Sequence, residues 1–338
     1  MGRSPALVRS LVLLAAGTLL VGCGRRSPQT LRLAHSLDRG HPVHMALEYL
    51  AQRVWDLSRG TLKIQVYPDG ELGNEWECVE SLQIGSLDMA KVSASTLENF
   101  VPEMALFSLP YVFEDEAHKW QVLEGPVGRQ ILEDCARYSL RGLCYYETGS
   151  RSFYLVNRRV TGPDDLRGLV IRVIPSYWSM RMIEIFGASP APIVFRELAD
   201  AFERGLVDGA ENNLPTFRSA GHHRLCRYFV LDEHSSPPDV VVVSMETWSK
   251  LSKQQRMWLV SAAKASSNYH RKLWAEAMAR DQQEVIRAGV EMVSVDRKAF
   301  RERVQPLYDE LREHNPDLYA LVKRVERDRT GPLEERTP

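Results

Sequence analysis

Two arginines and a pair of asparagines carry the most legible chemistry in this 338-residue sequence. Arg151 heads an apolar run, Arg172 follows the segment Leu169-Val170-Ile171, and Val207-Asp208-Gly209-Ala210-Glu211 leads into Asn212-Asn213 beside Pro215. A guanidinium at a strand end presents two parallel N–H donors in a planar fork that fits a carboxylate and that lysine cannot reproduce. Two such forks and a side-chain amide at one cleft would hold a small organic acid. Losing Arg172 would leave that acid's carboxylate buried and unpaired, a cost on the order of 3 kcal/mol or roughly two decades of affinity. The structural alternatives are an ion pair between the lobes for Arg151 and a turn role for Asn212 and Asn213. The pattern describes a binding protein before it describes an enzyme.

The elements that must position these groups alternate short apolar strands with amphipathic helices, as in an α/β architecture with mostly parallel sheets. Strands are expected at Leu31–His35, Thr61–Tyr67, Leu87–Val92 and Arg141–Tyr146, with a helix over His41–Leu57 and another capped by Asn74. A second block repeats the plan, with strands at Arg151–Asn157 and Leu169–Val173 and helices near Ser176–Phe186 and Phe195–Arg204. Gly85-Ser86-Leu87-Asp88-Met89-Ala90 and Gly205-Leu206-Val207-Asp208-Gly209-Ala210 echo one another at equivalent helix-to-strand junctions. Two lobes would therefore end their strands at a shared cleft, where open α/β sheets bind ligands. A strand at Val240–Ser244 precedes a helical stretch from about Ser252 to Ala288, read as one spine across both lobes or as two helices broken at Ser266-Ser267. The expected boundaries are 31–149 plus about 238–277 for lobe I, 150–237 plus about 278–327 for lobe II, and a disordered tail over 328–338.

Lysine and arginine number 43 against 44 acidic residues, a balance that gives no basic surface for nucleic acid. Arg3 and Arg9 precede a short apolar run, Leu11 to Val21, too brief to span a bilayer and readable as a signal peptide over 1–22. Leu20-Val21-Gly22-Cys23 resembles a bacterial lipobox, so Cys23 is the expected lipidation site and 23–30 the tether of a lipid-anchored protein. Cys78, Cys135, Cys144 and Cys226 permit one or two disulfides without requiring any, and the helical setting of Cys78 favours a plain buried thiol. His35, His41 and His44 flank a Pro turn without a further ligand pattern, so no metal and no cofactor is expected.

With these residues in view, the chain resembles the solute-binding proteins of tripartite ATP-independent periplasmic (TRAP) transporters, the DctP family. The resemblance rests on Tyr67-Pro68-Asp69-Gly70-Glu71-Leu72-Gly73, Gly85-Ser86-Leu87-Asp88-Met89, Phe107-Ser108-Leu109-Pro110-Tyr111, the run Asp165 to Val173, and Val207 to Asn213, in that order. It implies a two-lobe periplasmic-binding-protein fold with a hinge, crossing strands and a long spine helix. It further implies that Arg172 makes the salt bridge to a substrate carboxylate, that Arg151 is a second arginine of the site and that Asn212 orients the acid. Glu75, Ser93 and Phe195 match positions that line the far side of the pocket, as does the end of the first strand at His35-Ser36. Met89 to Ser93, Gly149 to Tyr154 and Leu231-Asp232-Glu233-His234 are most similar to members that bind sugar acids such as glucuronate and galacturonate.

Read on its own, Glu75 in the first turn of a helix either serves the helix dipole or accepts hydrogen bonds from ligand hydroxyls. Phe195 either anchors a helix or packs on a ring. The expected function is a periplasmic or cell-surface receptor, monomeric, that closes on a hexuronate and hands it to TRAP permease subunits in the membrane. The rivals are a 2-oxo acid, an aromatic acid or a dicarboxylate in the same site, a ligand sensor for a membrane signalling protein, and a secreted hydrolase using Glu75 and Asp232. No Gly-x-Ser-x-Gly elbow, HExxH or P-loop supports the hydrolase.

Overall fold

The computed structural model describes residues 27–329. The chain forms two sheets. In the first, β1 (Gln29–Ala34), β2 (Leu62–Tyr67), β3 (Met89–Ser93), β4 (Leu140–Tyr146) and, arriving much later, β10 (Asp239–Ser244) lie in the order β2-β1-β3-β10-β4. In the second, β5 (Ser152–Leu155), β6 (Val170–Val173), β7 (Ser189–Pro192), β8 (Gly209–Asn212), β9 (Tyr228–Val230) and β11 (Glu291–Val293) lie in the order β11-β9-β5-β8-β6-β7.

Each sheet is mostly parallel, as expected, and the single antiparallel strand in each has a simple cause. β5 runs antiparallel to β8 and β9, and β10 runs antiparallel to β3 and β4. These are the two strands that enter a sheet directly from the other lobe. The remaining strands of each sheet finish at the cleft, whereas a strand arriving through the hinge must start there and run away from it. The crossing segments are tied together: Arg151 N–H donates to Ser235 O at 2.7 Å, and the Thr148 hydroxyl donates to Pro237 O at 2.7 Å. Gly149, between them, has φ +59°, and a Cβ there would sit 3.2 Å from Trp274 Nε1, so glycine is needed for both conformation and clearance.

The sequence echo between the lobes has a structural counterpart. Asp88 Oδ2 accepts from Arg32 N–H in β1, and Asp208 Oδ2 accepts from Val170 N–H in β6, each at 2.8 Å. In both lobes an aspartate at the entry of one strand secures the parallel strand beside it.

Helix Pro42–Leu57 buries Val43, Ala46, Leu47, Leu50 and Val54 against the first sheet, at the spacing of one helical face. Asn74 caps helix Glu75–Gln83 through a reciprocal box, accepting from Glu77 N–H at 3.1 Å while Glu77 Oε2 accepts from Asn74 N–H at 2.8 Å. β10 is buried along its whole length, as a strand flanked on both edges and covered on both faces should be, and its Asp-Val-Val-Val-Val-Ser sequence reads that way.

The spine is one helix of 35 residues, Lys253–Arg287, about 52 Å long. Ser266 and Ser267 do not break it. They dock it on the first lobe, with Ser266 Oγ donating to Ala46 O and Ser267 Oγ donating to Tyr145 O, each at 2.6 Å. Two boundaries differ from expectation. Gln29 and Thr30, placed in the tether, already pair with Leu62 and Lys63, and the final helix, Pro316–Arg329, runs into the segment assigned to the tail. That helix also returns to the first lobe, where Val325 O lies 3.1 Å from His118 Nε2. Cys23 and the expected signal peptide over 1–22 lie outside the described residues. Cys78, Cys135, Cys144 and Cys226 are buried free thiols.

Candidate ligand-binding site

Strands ending at the cleft bring Lys91, Ser93 and Asp239 from lobe I to face Arg151, Arg172 and Asn212 from lobe II, while the start of helix Glu75–Gln83 and the helical turn Phe195–Glu197 add Glu75 and Phe195. All eight line one cavity of about 90 Å³. The lobes touch around it, through Asn99 Nδ2 donating to Pro175 O at 2.9 Å and His41 Nε2 lying 3.3 Å from the Thr216 hydroxyl. A larger hollow of about 600 Å³ lies behind the hinge beside Trp274. The smaller cavity is distinguished by Arg172, a buried guanidinium with an unpartnered nitrogen on its wall.

Arg172 is held in β6 between β7 and β8, opposite Ala191 and Ala210, with only 2 % of its surface exposed. Its Nε donates to Ile193 O at 2.8 Å, while the buried Nη1 has no partner. No described carboxylate forms an ion pair with it. Burial holds the guanidinium below its ordinary pKa, with the like charge of Arg151 adding to the effect. Guanidinium groups do not give up their proton in proteins, so the site carries a buried cation lacking an anion. Such a guanidinium is suited to pair with the carboxylate of a small acid.

Arg151 is satisfied by the protein itself. Its Nε donates to Glu211 Oε2, Nη2 donates to Glu211 Oε1 at 2.9 Å and to Glu211 O at 2.8 Å, and Nη1 donates to Asn212 Oδ1 at 2.8 Å. Glu211 faces His234 Nε2 at 3.5 Å, and His234 Nδ1 lies 2.7 Å from Asp232 Oδ2. Burial opposes ionisation of Glu211, but Arg151 and His234 outweigh it and hold the carboxyl down at about 2. Burial likewise opposes charge on His234, and Asp232 and Glu211 outweigh it, lifting the imidazole to about 9. Arg151 was expected as a second arginine for the ligand, with an ion pair between the lobes as the structural alternative; the carboxylate it pairs with, Glu211, is in its own lobe, on the adjacent strand. Asn212 Oδ1 also accepts from Asn213 N–H at 2.9 Å, so the amide NH₂ is what Asn212 can offer a ligand. Asn213 caps helix Leu214–Ser219, accepting from Thr216 N–H at 2.8 Å.

The lobe I wall is built on a lysine that sequence reasoning did not single out. Lys91 Nζ donates to Glu75 Oε1 at 2.8 Å and lies 3.3 Å from Asp239 Oδ2. Glu75 Oε2 accepts from Ser93 N–H at 3.1 Å and from the Thr96 hydroxyl at 3.0 Å. Burial disfavours the charged lysine, but Asp239 and Glu75 overcome it and raise its pKa. Burial likewise raises Asp239 against the pull of Lys91. Two signals were available in the sequence. Lys91 interrupts the otherwise small and apolar strand Met89-Ala90-Lys91-Val92-Ser93, and Asp239 opens an unbroken run of valines. A charge inside such a strand is affordable only with a partner.

Six of the seven expected ligand-lining residues thus meet at the cavity, and His35 does not. His35 Nε2 lies 3.1 Å from His44 Nδ1 and its Nδ1 accepts from Leu37 N–H at 3.3 Å, so both nitrogens are occupied and Ser36 and Leu37 take the wall position. Burial holds the His35 ring neutral, down at about 2. Phe195 projects from lobe II, packs on the hydrophobic core of lobe I and meets His222 edge-on at 5.9 Å. Glu75 and Asp232, the hydrolase pair, share no surface: Asp232 is fully buried, accepting from Phe153 N–H at 3.1 Å besides facing His234. Among the described residues no group of three or more His, Cys, Asp or Glu could hold a metal ion.

The family described as bacterial extracellular solute-binding protein, family 7 (DctP) matches residues 33–315. The 2,3-diketo-L-gulonate-binding periplasmic protein YiaO of Escherichia coli K12 is 30% identical over 293 residues, spanning 85% of this chain and 88% of its own length. A TRAP periplasmic solute-binding protein from a Bradyrhizobium species, solved with α/β-D-galacturonate, superimposes with a TM-score of 0.86 at 37% identity, over 88% of this chain and all of that one (100%). A counterpart from Chromohalobacter salexigens, solved with D-glucuronate, gives a TM-score of 0.86 at 29% identity, over 88% of this chain and 99% of its own. With a cleft that holds an unpaired arginine and a match running through both lobes, the chain belongs to the DctP family of extracellular solute-binding proteins, the periplasmic receptors of TRAP transporters.

Proposed function

We propose that this protein captures a hexuronate, galacturonate or glucuronate, and delivers it to a TRAP permease. The observation that carries the reading is Arg172, a buried guanidinium with an unpartnered Nη1 facing a cavity whose other wall is polar. The acid's carboxylate pairs with Arg172 and with the amide NH₂ of Asn212. Its hydroxyls meet the lobe I wall, and a ring face packs on Phe195. Solved relatives bound to galacturonate and glucuronate support the same ligand class. The polar wall weighs against an aromatic or alkyl acid, which would bury those charges without returning a hydrogen bond.

Binding closes the lobes because the ligand touches both, and it favours the closed form by the contacts it makes only there. Thermal-shift screening against hexuronates, aldonates, 2-oxo acids, aromatic acids and C4 dicarboxylates tests the reading. At a hundred times its dissociation constant, a ligand adds about 2.7 kcal/mol. A shift confined to hexuronates and lost in Arg172→Lys supports it, and a shift with another acid class sinks the ligand assignment while keeping the receptor. Small-angle scattering with and without the ligand tests closure, and recovery of intact ligand tests that no turnover occurs.

The leader ending in Leu20-Val21-Gly22-Cys23 supports a diacylglycerol on Cys23 that anchors a monomeric receptor to the outer side of the membrane. Expression of Cys23→Ser in a host with lipoprotein processing should move the protein from the membrane fraction to the soluble one.

A further inference from the structure

We infer that Glu75, Lys91 and Asp239 form a charge filter on the lobe I wall, which reads the hydroxyl end of the ligand and bars acids carrying a second carboxylate. This rests on the sugar-acid reading above and adds to it the class of acid that is refused.

The inference follows from the charges that remain once internal pairs are removed. On the lobe II wall, Glu211 neutralises Arg151, and Asp232 neutralises His234, so Arg172 is the one cation left without an anion among the cavity-lining residues. On the lobe I wall, two carboxylates share one ammonium, leaving an excess of one negative charge. The side chains of Lys91, Asp239 and Glu75 are only 3 %, 10 % and 18 % exposed, so water does little to screen them. The cleft is therefore polarised across the lobes, with a place for one anionic group and an electrostatic penalty for a second.

The hydrogen-bonding inventory points the same way. Two of the three Lys91 donors face Glu75 Oε1 and Asp239 Oδ2, and Glu75 Oε2 is taken by Ser93 N–H and Thr96 Oγ1–H. The third lysine proton and Asp239 Oδ1 are outside these pairs. One donor beside one acceptor is the complement of a hydroxyl, which donates and accepts at once. An ionised carboxylate only accepts, so it would use the lysine proton while confronting Asp239 Oδ1 in a low-dielectric cleft. At separations of about 5 Å and an effective dielectric constant near 20, that repulsion is equivalent to about a 100-fold loss of affinity or more.

The test uses calorimetric titration of the full-length protein, freed of bound ligand, with galacturonate, galactonate and galactarate. The last two share one open carbon chain and differ in whether the far end is a hydroxyl or a carboxylate, so ring opening does not confuse the comparison. The expected result is binding of galacturonate, with galactarate at least about 100-fold weaker than galactonate. Asp239→Asn removes the excess negative charge and should narrow that ratio at least about tenfold, and Glu75→Gln provides the same test on a second residue. Galactarate binding as tightly as galactonate to the unaltered protein overturns the filter while leaving the receptor reading intact, and this comparison needs no variant to fold. A ratio unchanged in both folded variants also overturns it. If none of the three acids binds, the sugar-acid reading itself fails and the filter falls with it.

Discussion

Arg151 and Arg172 stand on either side of β8 in the same sheet, and Glu211 on β8 engages only the first. Two buried guanidinium groups of similar burial thus have opposite electrostatic fates. Arg151 is locked in a network that ends at Asp232, while Arg172 has no described carboxylate partner.

Replacing Arg172 by Met should leave the ligand-free protein at least as stable as the parent, because it removes a buried charge with no partner. The same change should abolish hexuronate binding, a loss of about 3 kcal/mol or more. Paired thermal melts with and without galacturonate check both halves. A large fall in the unliganded melting temperature would show that Arg172 has a structural anion after all.

Glu211→Gln should behave in the opposite way. It strands Arg151 as an uncompensated buried cation and leaves His234 with Asp232 alone, at a cost of about 3–5 kcal/mol. The unliganded melting temperature should drop by roughly 10 °C. An Arg151→Met, Glu211→Met double variant should recover much of the loss, and a double variant no better than Glu211→Gln would refute the pairing.

The same network sets a pH window. His234 is lifted to about 9, so its contribution is complete below the ordinary histidine value and is lost as pH rises through about 9. Glu211, held at about 2, contributes fully above the ordinary glutamate range and loses its contribution as pH falls toward about 2. Stability should therefore decline between pH 7 and 10, and the decline should be smaller in His234→Asn. Equal alkaline slopes in the two proteins, measured by denaturant unfolding, would count against a charged His234.

Glu98 gives closure a pH dependence of its own. It leaves lobe I at the cleft, buried among the Ser108 and Ser176 hydroxyls and the Tyr177 and Trp178 amides, yet neither carboxyl oxygen meets a donor in hydrogen-bonding geometry. Burial, only partly offset by those donors, raises it to about 7. The closed form therefore takes up a proton between the ordinary glutamate value and about 7, and the stability of closure falls as pH rises through that range. Ligand affinity should improve on going from pH 8 to pH 6, and Glu98→Gln should flatten that dependence. An unchanged pH profile in the variant would remove Glu98 from the closure step.

Much of the local structure was legible. The spacing of Val43, Leu47, Leu50 and Val54 defines a helix face, Asn74 and Glu77 form a cap within one turn, and the Asp88 and Asp208 echo marks equivalent strand entries in two lobes. β7 was missed because Ser-Pro-Ala-Pro carries two prolines, which an edge strand tolerates and a propensity reading rejects. His35 was misplaced because the strand end does bring it to the cleft side, but the helix that follows puts His44 within reach of its ring.

The sequence by itself determined which residues could bind an acid: arginine forks at strand ends, an amide after Glu211, and a carboxylate at a helix start. These depend on residue chemistry and on contacts a few positions apart. Only the tertiary structure decided which of those charges are already spent. Lys91 meets Asp239 because β10 returns from the other lobe and inserts beside β3, and Glu211 meets Arg151 because β8 lies next to β5. The charge available for a ligand is the remainder after such pairings, and it depends on strand order, which the crossings between lobes impose and no local periodicity records.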